Sequence, residues 1–188
     1  MIITSKRFIV SGTPTGGKST FSNELVKRHF VKHICIDPII EAFEDVFPQL
    51  GITHNAHSLE KHVEVCQKFN PFIQRMIDGM DIGNFVVEGF RLPIKDLYEK
   101  YGSAGIQFFV FGYPNSTPEQ KLEQIKKYDC GKGNWVDHMS DQELLEIFEF
   151  LIAESKLEEN LCKKFGIPFF DTANDFNTKI NEALNLVK

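Results

Sequence analysis

Arginine is nearly absent from this 188-residue chain: Arg7, Arg28, Arg75 and Arg91 are the whole supply. Any task that needs a planar guanidinium therefore has four candidates. Cysteine is scarce as well. Cys35, Cys66, Cys130 and Cys162 form no C-x-x-C pair and have no histidine at zinc-ligand spacing. That excludes a zinc finger and a disulfide framework, and leaves reduced, mostly buried thiols. No run approaches eighteen apolar residues, so no membrane-spanning helix is expected. Met1 leads straight into the first strand-like run without the apolar stretch of a secretory leader, and the expected location is cytoplasmic. Positive charge is not in excess either. A net charge of −5 and a pI near 5.7 do not suit a protein that holds long nucleic acid through its phosphates. No internal repeat is present, and the length and 42% hydrophobic content suit a single domain, 1–188, with one full core.

What the chain does have is one stretch of high information. Gly12-Thr13-Pro14-Thr15-Gly16-Gly17-Lys18-Ser19 matches G-x-x-x-x-G-K-[ST] in full. It follows the apolar run Phe8 to Val10 and, with Thr20 and Phe21, opens a helical pattern, which is the context the motif requires. Glycines at 12, 16 and 17 let backbone N–H groups turn inward around a polyphosphate where a Cβ would block them. The phosphates then rest on a helix N-terminus. Lys18 is placed to reach the β- and γ-phosphates of ATP, and the Ser19 hydroxyl to ligate Mg²⁺.

Strand-like and helix-like runs alternate along the rest of the chain. The spacing predicts helices over about 17–30, 38–47 and 58–80, the last with Pro71 as a kink or break. Strands are predicted at His33 to Ile36, Asn84 to Gly89, Ile106 to Gly112 and Ile167 to Asp171. Thr117 with Gln120 and Ser140 with Glu143 read as capping boxes. The second opens a helix carrying Leu144, Phe148, Leu151, Leu157 and Leu161 inward, ending at Gly166; a last helix is capped by Asn174 or Asp175. This α/β alternation predicts a parallel sheet covered on both faces, with ligands at the carboxyl ends of the strands.

Those ends carry the remaining candidates. Asp37, closing the second strand, is read as a base toward an acceptor hydroxyl, as an organiser of Mg²⁺ waters, or as a helix cap before Pro38. Glu88, closing the third, is read as a second carboxylate near the metal or as the base. Arg91 can clamp an acceptor phosphate or carboxylate, against the alternative of a surface salt bridge. Lys121, Lys126, Lys127 and Lys132 follow the fourth strand, where a closing segment would bring cations onto the transferring phosphoryl; Lys126 and Lys127 are favoured over Lys121. Trp135 is a packing anchor or a stacking surface. His54, His57 and His62 are read as exposed histidines rather than a metal site, since nothing completes a tetrahedral set.

With Gly12 to Thr20, Asp37 and Glu88-Gly89 in place, the chain resembles the small P-loop kinases: nucleoside monophosphate, shikimate and gluconate kinases and chloramphenicol phosphotransferase-like enzymes. The resemblance implies a P-loop NTPase three-layer sandwich with a five-stranded parallel sheet of order 2-3-1-4-5. It also implies a helical substrate-binding insert at about 38–82, a lid at about 115–140, an adenine site near Thr172 to Asp175, and ATP and Mg²⁺ as cofactors. Two departures stand out: the lid segment has no arginine, and Glu88-Gly89-Phe90-Arg91 does not reproduce the nucleotide-kinase D-G-[FY]-P-R pattern. The expected activity is phosphoryl transfer from ATP to a small-molecule hydroxyl or phosphate. A regulatory NTPase and a kinase for RNA ends or sugar nucleotides are the rivals; Thr178-Lys179-Ile180-Asn181 lacks the aspartate of a guanine reader, and no S-G-G-Q-like signature is present.

Overall fold

Short strands rich in phenylalanine and valine pair side by side because helices cover both their faces. In the computed structural model, which describes residues 6–55, 57–80, 83–131 and 133–188, the strands are β1 (Arg7–Gly12), β2 (Lys32–Cys35), β3 (Phe85–Gly89), β4 (Gln107–Gly112) and β5 (Phe169–Asp171). All are parallel, in the order β2-β3-β1-β4-β5, as the sequence predicts. The helices are α1 (Lys18–His29), α2 (Asp37–Val46), α3 (Leu59–Gly79), α4 (Ile94–Tyr101), α5 (Pro118–Tyr128), α6 (Asp141–Phe165) and α7 (Phe176–Asn185).

Alternation along β1 divides the core. Phe8 and Val10 face α1 and α7, packing with Phe21, Leu25, Ile180 and Leu184. Ile9 faces the other way, among Phe69, Ile73, Leu97 and Cys162 of α3, α4 and α6. A third cluster, with Phe90, Tyr113, Ile125, Leu144 and Phe148, ties α5 and α6 together. Register places Val10 opposite Glu88, Ser11 opposite Gly89 and Gly12 opposite Phe111, so one edge of the sheet gathers the ends of the central strands.

Both predicted capping boxes form, at Thr117 and Ser140, and Gly166 ends α6 in the left-handed conformation at φ 69°. Four local expectations are corrected. Of the two alternatives at Pro71 the break is excluded, since helix α3 runs on through it; the proline faces solvent, and the buried stripe of Val65, Cys66, Phe69, Ile73 and Ile77 offsets its cost of about 3 kcal/mol. Leu157 is exposed rather than inward, because its turn of α6 buries Glu154, Ser155 and Glu158 instead. Asp37 is not the cap of α2: Ile36 holds that position, and the carboxylate reaches across to β3. Helix α4, absent from the predicted elements, is only eight residues long but buries Ile94, Leu97 and Tyr101 at helical spacing. Among the described residues no helix is long and apolar enough to cross a membrane, and Cys35, Cys66, Cys130 and Cys162 are free thiols.

Residues on one helix test this packing. Phe148→Ala is expected to cost about 3–5 kcal/mol in urea unfolding, whereas Leu157→Gln is expected to change stability by no more than about 0.5 kcal/mol.

Candidate active site

The loop between β1 and α1 is held by its carbonyls. The Thr13 N–H donates to Phe111 O at 3.0 Å, and the Gly16 N–H to Thr13 O at 3.1 Å. The Tyr113 hydroxyl donates to Pro14 O at 3.0 Å, the Lys121 ammonium to Thr15 O at 3.1 Å, and the Thr172 hydroxyl lies 3.0 Å from Gly16 O. Gly12 sits at φ 130°, where a Cβ would stand 1.8 Å from Phe111 O, so no other residue fits. No side chain caps α1, and its first-turn amides and positive dipole end are left for an anion. Lys18 is buried, its ammonium donating to Thr13 O at 3.0 Å, while Ser19 and Thr20 are exposed.

Glu88 lies on the neighbouring strand end, 1% exposed. His33 Nε2 stands 3.0 Å from Glu88 Oε1, while Oε2 has no hydrogen-bond partner among the described residues. Burial pushes the Glu88 carboxyl up, but His33, Lys18 and the Ser19 hydroxyl outweigh it and hold the group below its ordinary value. Glu88 is therefore ionised beside Ser19, with an oxygen to spare, which fits a magnesium ion or its waters. Asp37 Oδ1 accepts from the Phe90 N–H at 3.2 Å. Gly89 permits this approach, since a Cβ there would meet Ile36 at 2.0 Å and Asp37 Oδ1 at 3.1 Å. The structure brings Lys18, Ser19, Asp37 and Glu88 to one edge.

Arg91 is not a surface group. It is 2% exposed, donating from Nη1 to His62 Nδ1 at 2.7 Å and from Nη2 to His54 O at 2.8 Å. Since guanidinium only donates, His62 Nδ1 must accept and its proton sits on Nε2. Burial, then Arg91, push His62 down to about 3, so it is neutral. The expectation of three exposed histidines is corrected here: His62 is buried, and His54 donates from Nε2 to Asp37 O at 2.7 Å. Among the described residues no group of three or more histidines, cysteines or carboxylates is placed to hold a metal.

The lysines of the segment after β4 divide against expectation. Lys126 turns away to Asp141; Lys127 lies over the Tyr128 ring and, like Lys121, lines the cavity beside the loop; both 126 and 127 are exposed. Lys121 is the lysine that reaches the loop. It is 4% exposed, its ammonium 4.1 Å above the Tyr113 ring as well as bonded to Thr15 O. Its place on α5, one turn after the Thr117 cap, decides this. Lys132 lies outside the described residues. Trp135 is exposed, on a single 3-10 turn in which only Val136 is buried. A cavity of about 920 Å³ opens beside the loop, lined by Thr15, Thr20, Lys121, Gln124, Thr172 and Asn174 among others.

Two functional candidates escape the sequence reading. Glu154 and Glu158 of α6 are both buried at this edge. Ser11 donates its hydroxyl proton to Glu158 Oε1 at 3.2 Å, and His62 Nε2 stands 3.6 Å from Glu154 Oε1. Burial drives both carboxyls up; Glu158 adds to the rise in Glu154, while Lys18 opposes both. Their signal was present: carboxylates spaced four apart inside the apolar stripe from Leu151 to Cys162.

Solved structures resemble this arrangement along almost the whole chain. Shikimate kinase from Bacteroides thetaiotaomicron aligns with TM-score 0.55 and 11% identity, covering 96% of this chain and 97% of its own. Shikimate kinase from Acinetobacter baumannii aligns at 0.55 and 14%, covering 98% and 97%. The chain has the fold of the small P-loop kinases. A gluconokinase from Sinorhizobium meliloti 1021 aligns at 0.51 and 14%, covering 97% and 91%. No protein-family model and no curated protein matches the chain. At such identities the likeness is one of fold, and P-loop chemistry in this chain rests on its own residues.

Two pH dependences follow from these groups. The folded chain keeps the Glu158 proton up to about 7, whereas the unfolded chain releases it near the ordinary glutamate value. Stability therefore falls as pH rises through that window. Urea unfolding is expected to give a declining stability from pH 5 to 7.5, and Glu158→Gln to flatten the decline and be more stable at pH 7.5 by on the order of 1–3 kcal/mol. Burial, aided by Lys18 and against Asp129, lowers Lys121 to about 8. Calorimetric affinity for a nucleoside triphosphate is expected to weaken above that pH, by up to about tenfold per unit, and Lys121→Arg to remove the dependence.

Proposed function

We propose that this chain is an ATP- and Mg²⁺-dependent phosphotransferase acting on a small-molecule hydroxyl or phosphate. The observation that carries the reading is a complete phosphate loop, Gly12 to Thr20, with Asp37 at the start of α2, Glu88 at the end of the adjacent β3 and a cavity of about 920 Å³ beside it. In this reading the cavity takes the nucleoside, with its base near Thr172 to Asp175, and the tail enters the loop.

The loop amides and Lys18 hold the β- and γ-phosphates. Ser19, with Glu88 behind it, would hold Mg²⁺, which when bound offsets charge on the phosphate oxygens. Asp37, anchored by the Phe90 amide, is the base that takes the proton from the attacking hydroxyl. Arg91, fixed by His62 and the His54 carbonyl, orients the acceptor. Lys121, bonded to the Thr15 carbonyl of the loop, supplies the cation on the α5 side, with Lys127 at the rim of the same cavity. Residues 38–82 serve as the acceptor-binding insert and 115–140 as the lid, within a single domain. An RNA end is a poor acceptor for a chain with net charge −5.

Acceptor-dependent ADP release across a panel of hydroxylated and phosphorylated metabolites tests the proposal. Lys18→Ala is expected to abolish turnover. Asp37→Asn is expected to lower kcat about 10²–10⁴-fold while nucleotide still binds. Full transfer by Asp37→Asn would remove it as the base, and hydrolysis indifferent to every acceptor would favour the regulatory NTPase.

A further inference from the structure

Two walls face each other across the cavity beside the phosphate loop. Helix α5 contributes Gln120, Lys121 and Gln124, and the turn after β5 contributes Thr172, Ala173 and Asn174. Lys121 marks the phosphate end, since its ammonium bonds to Thr15 O. Gln124 stands three residues further on, about 4.5 Å along the helix axis, against the turn after β5. That turn is held in place. The Ala173 N–H donates to Asp171 Oδ1 at 3.0 Å, Asn115 Nδ2 donates to the other Asp171 oxygen at 2.7 Å, and the Thr172 N–H donates to Gly112 O at 2.7 Å.

Gln124 is tied to this turn, donating from Nε2 to Ala173 O. A carbonyl only accepts, so the nitrogen of the side-chain amide is the atom turned to it. Its Oε1 is thereby set in direction and accepts from no described residue. Gln120, one turn earlier on the same face, is fixed in the opposite sense. Its Oε1 accepts from the Thr117 N–H at 3.0 Å in the capping box, which leaves its NH₂ group to donate. The remaining lining amides, Asn174 and Asn177, are exposed and hydrogen-bond through their side chains to no described residue, so they turn either end to a ligand.

An acceptor and a donor side by side complement one kind of purine. Adenine presents its 6-amino group beside the N7 acceptor, whereas a 6-oxo purine presents two acceptors at those positions. Facing a 6-oxo group, Gln124 Oε1 would meet a second acceptor, or the amide would have to give up Ala173 O; either loses a hydrogen bond. We propose that Gln124 is the residue that selects the nucleotide, its fixed oxygen accepting from the 6-amino group of an adenine nucleotide and turning away 6-oxo purines, with Gln120 donating to N7. This deepens the phosphotransferase reading and rests on it for the place of the nucleotide.

ADP, IDP and inorganic pyrophosphate, each titrated by calorimetry into the full chain with Mg²⁺ present, test the assignment. The two nucleotides differ only in the 6-amino or 6-oxo form of the base, and pyrophosphate engages the loop alone. ADP is expected to bind at least about tenfold more tightly than IDP. Gln124→Met, similar in length and without hydrogen-bonding nitrogen or oxygen, is expected to bring the two within about twofold of each other, its fold checked by thermal melting. A glutamine that merely latched α5 to the turn would weaken both nucleotides alike on replacement and leave their ratio unmoved. IDP binding as tightly as ADP, or a ratio unchanged in Gln124→Met, overturns the assignment and leaves the phosphotransferase standing. Failure of all three ligands to bind overturns both.

Discussion

Everything at the carboxyl edge depends on how closely the β1–α1 loop lies against β4. The Thr13 amide bonds to Phe111 O, and Gly12 passes over that carbonyl at a distance no side chain tolerates. This contact fixes where the helix begins, and with it the direction of the α1 dipole and the position of Lys18. Thr172, Tyr113 and Lys121 then tie the carbonyls of Gly16, Pro14 and Thr15 from three further elements. The loop is therefore set in shape before any ligand arrives, which is how a backbone site avoids reorganising at the moment of reaction.

The edge is also where the fold spends stability. Lys18, Glu88, Arg91, Lys121, Glu154 and Glu158 are all buried there, although charged side chains are rarely enclosed without partners. Some are compensated: Glu88 by His33, and Arg91 by His62 and the His54 carbonyl. Glu154 and Glu158 are compensated least.

Lys121 illustrates how helix phase chooses among similar residues. Lys121, Lys126 and Lys127 share one short helix, α5, and one charge. Position 121 shares the face of Ile125, which is buried under α6, while 126 falls on the solvent side and 127 on the exposed rim of the cavity. A rotation of about 100° per residue separates a lysine at the phosphate loop from a lysine paired with Asp141. A scarcity of arginine draws attention to every lysine in the segment, and only packing selects between them.

Local chemistry was legible in the order of residues. The glycine pattern of the loop, the capping boxes at Thr117 and Ser140, Gly166 at the end of α6 and the alternation that builds the sheet each depend on neighbours a few positions away, so the sequence alone determined them. The strand ends, and hence the meeting of Lys18 with Asp37 and Glu88, followed from the parallel order. Tertiary structure decided what depends on partners distant in the chain. It buried Arg91 against His62, carried α3 through Pro71, turned Asp37 from a cap into an acceptor for Phe90, and set Glu154 and Glu158 beneath the loop. A charged side chain looks the same in a sequence whether water or a protein interior surrounds it, and only the folded chain settles which.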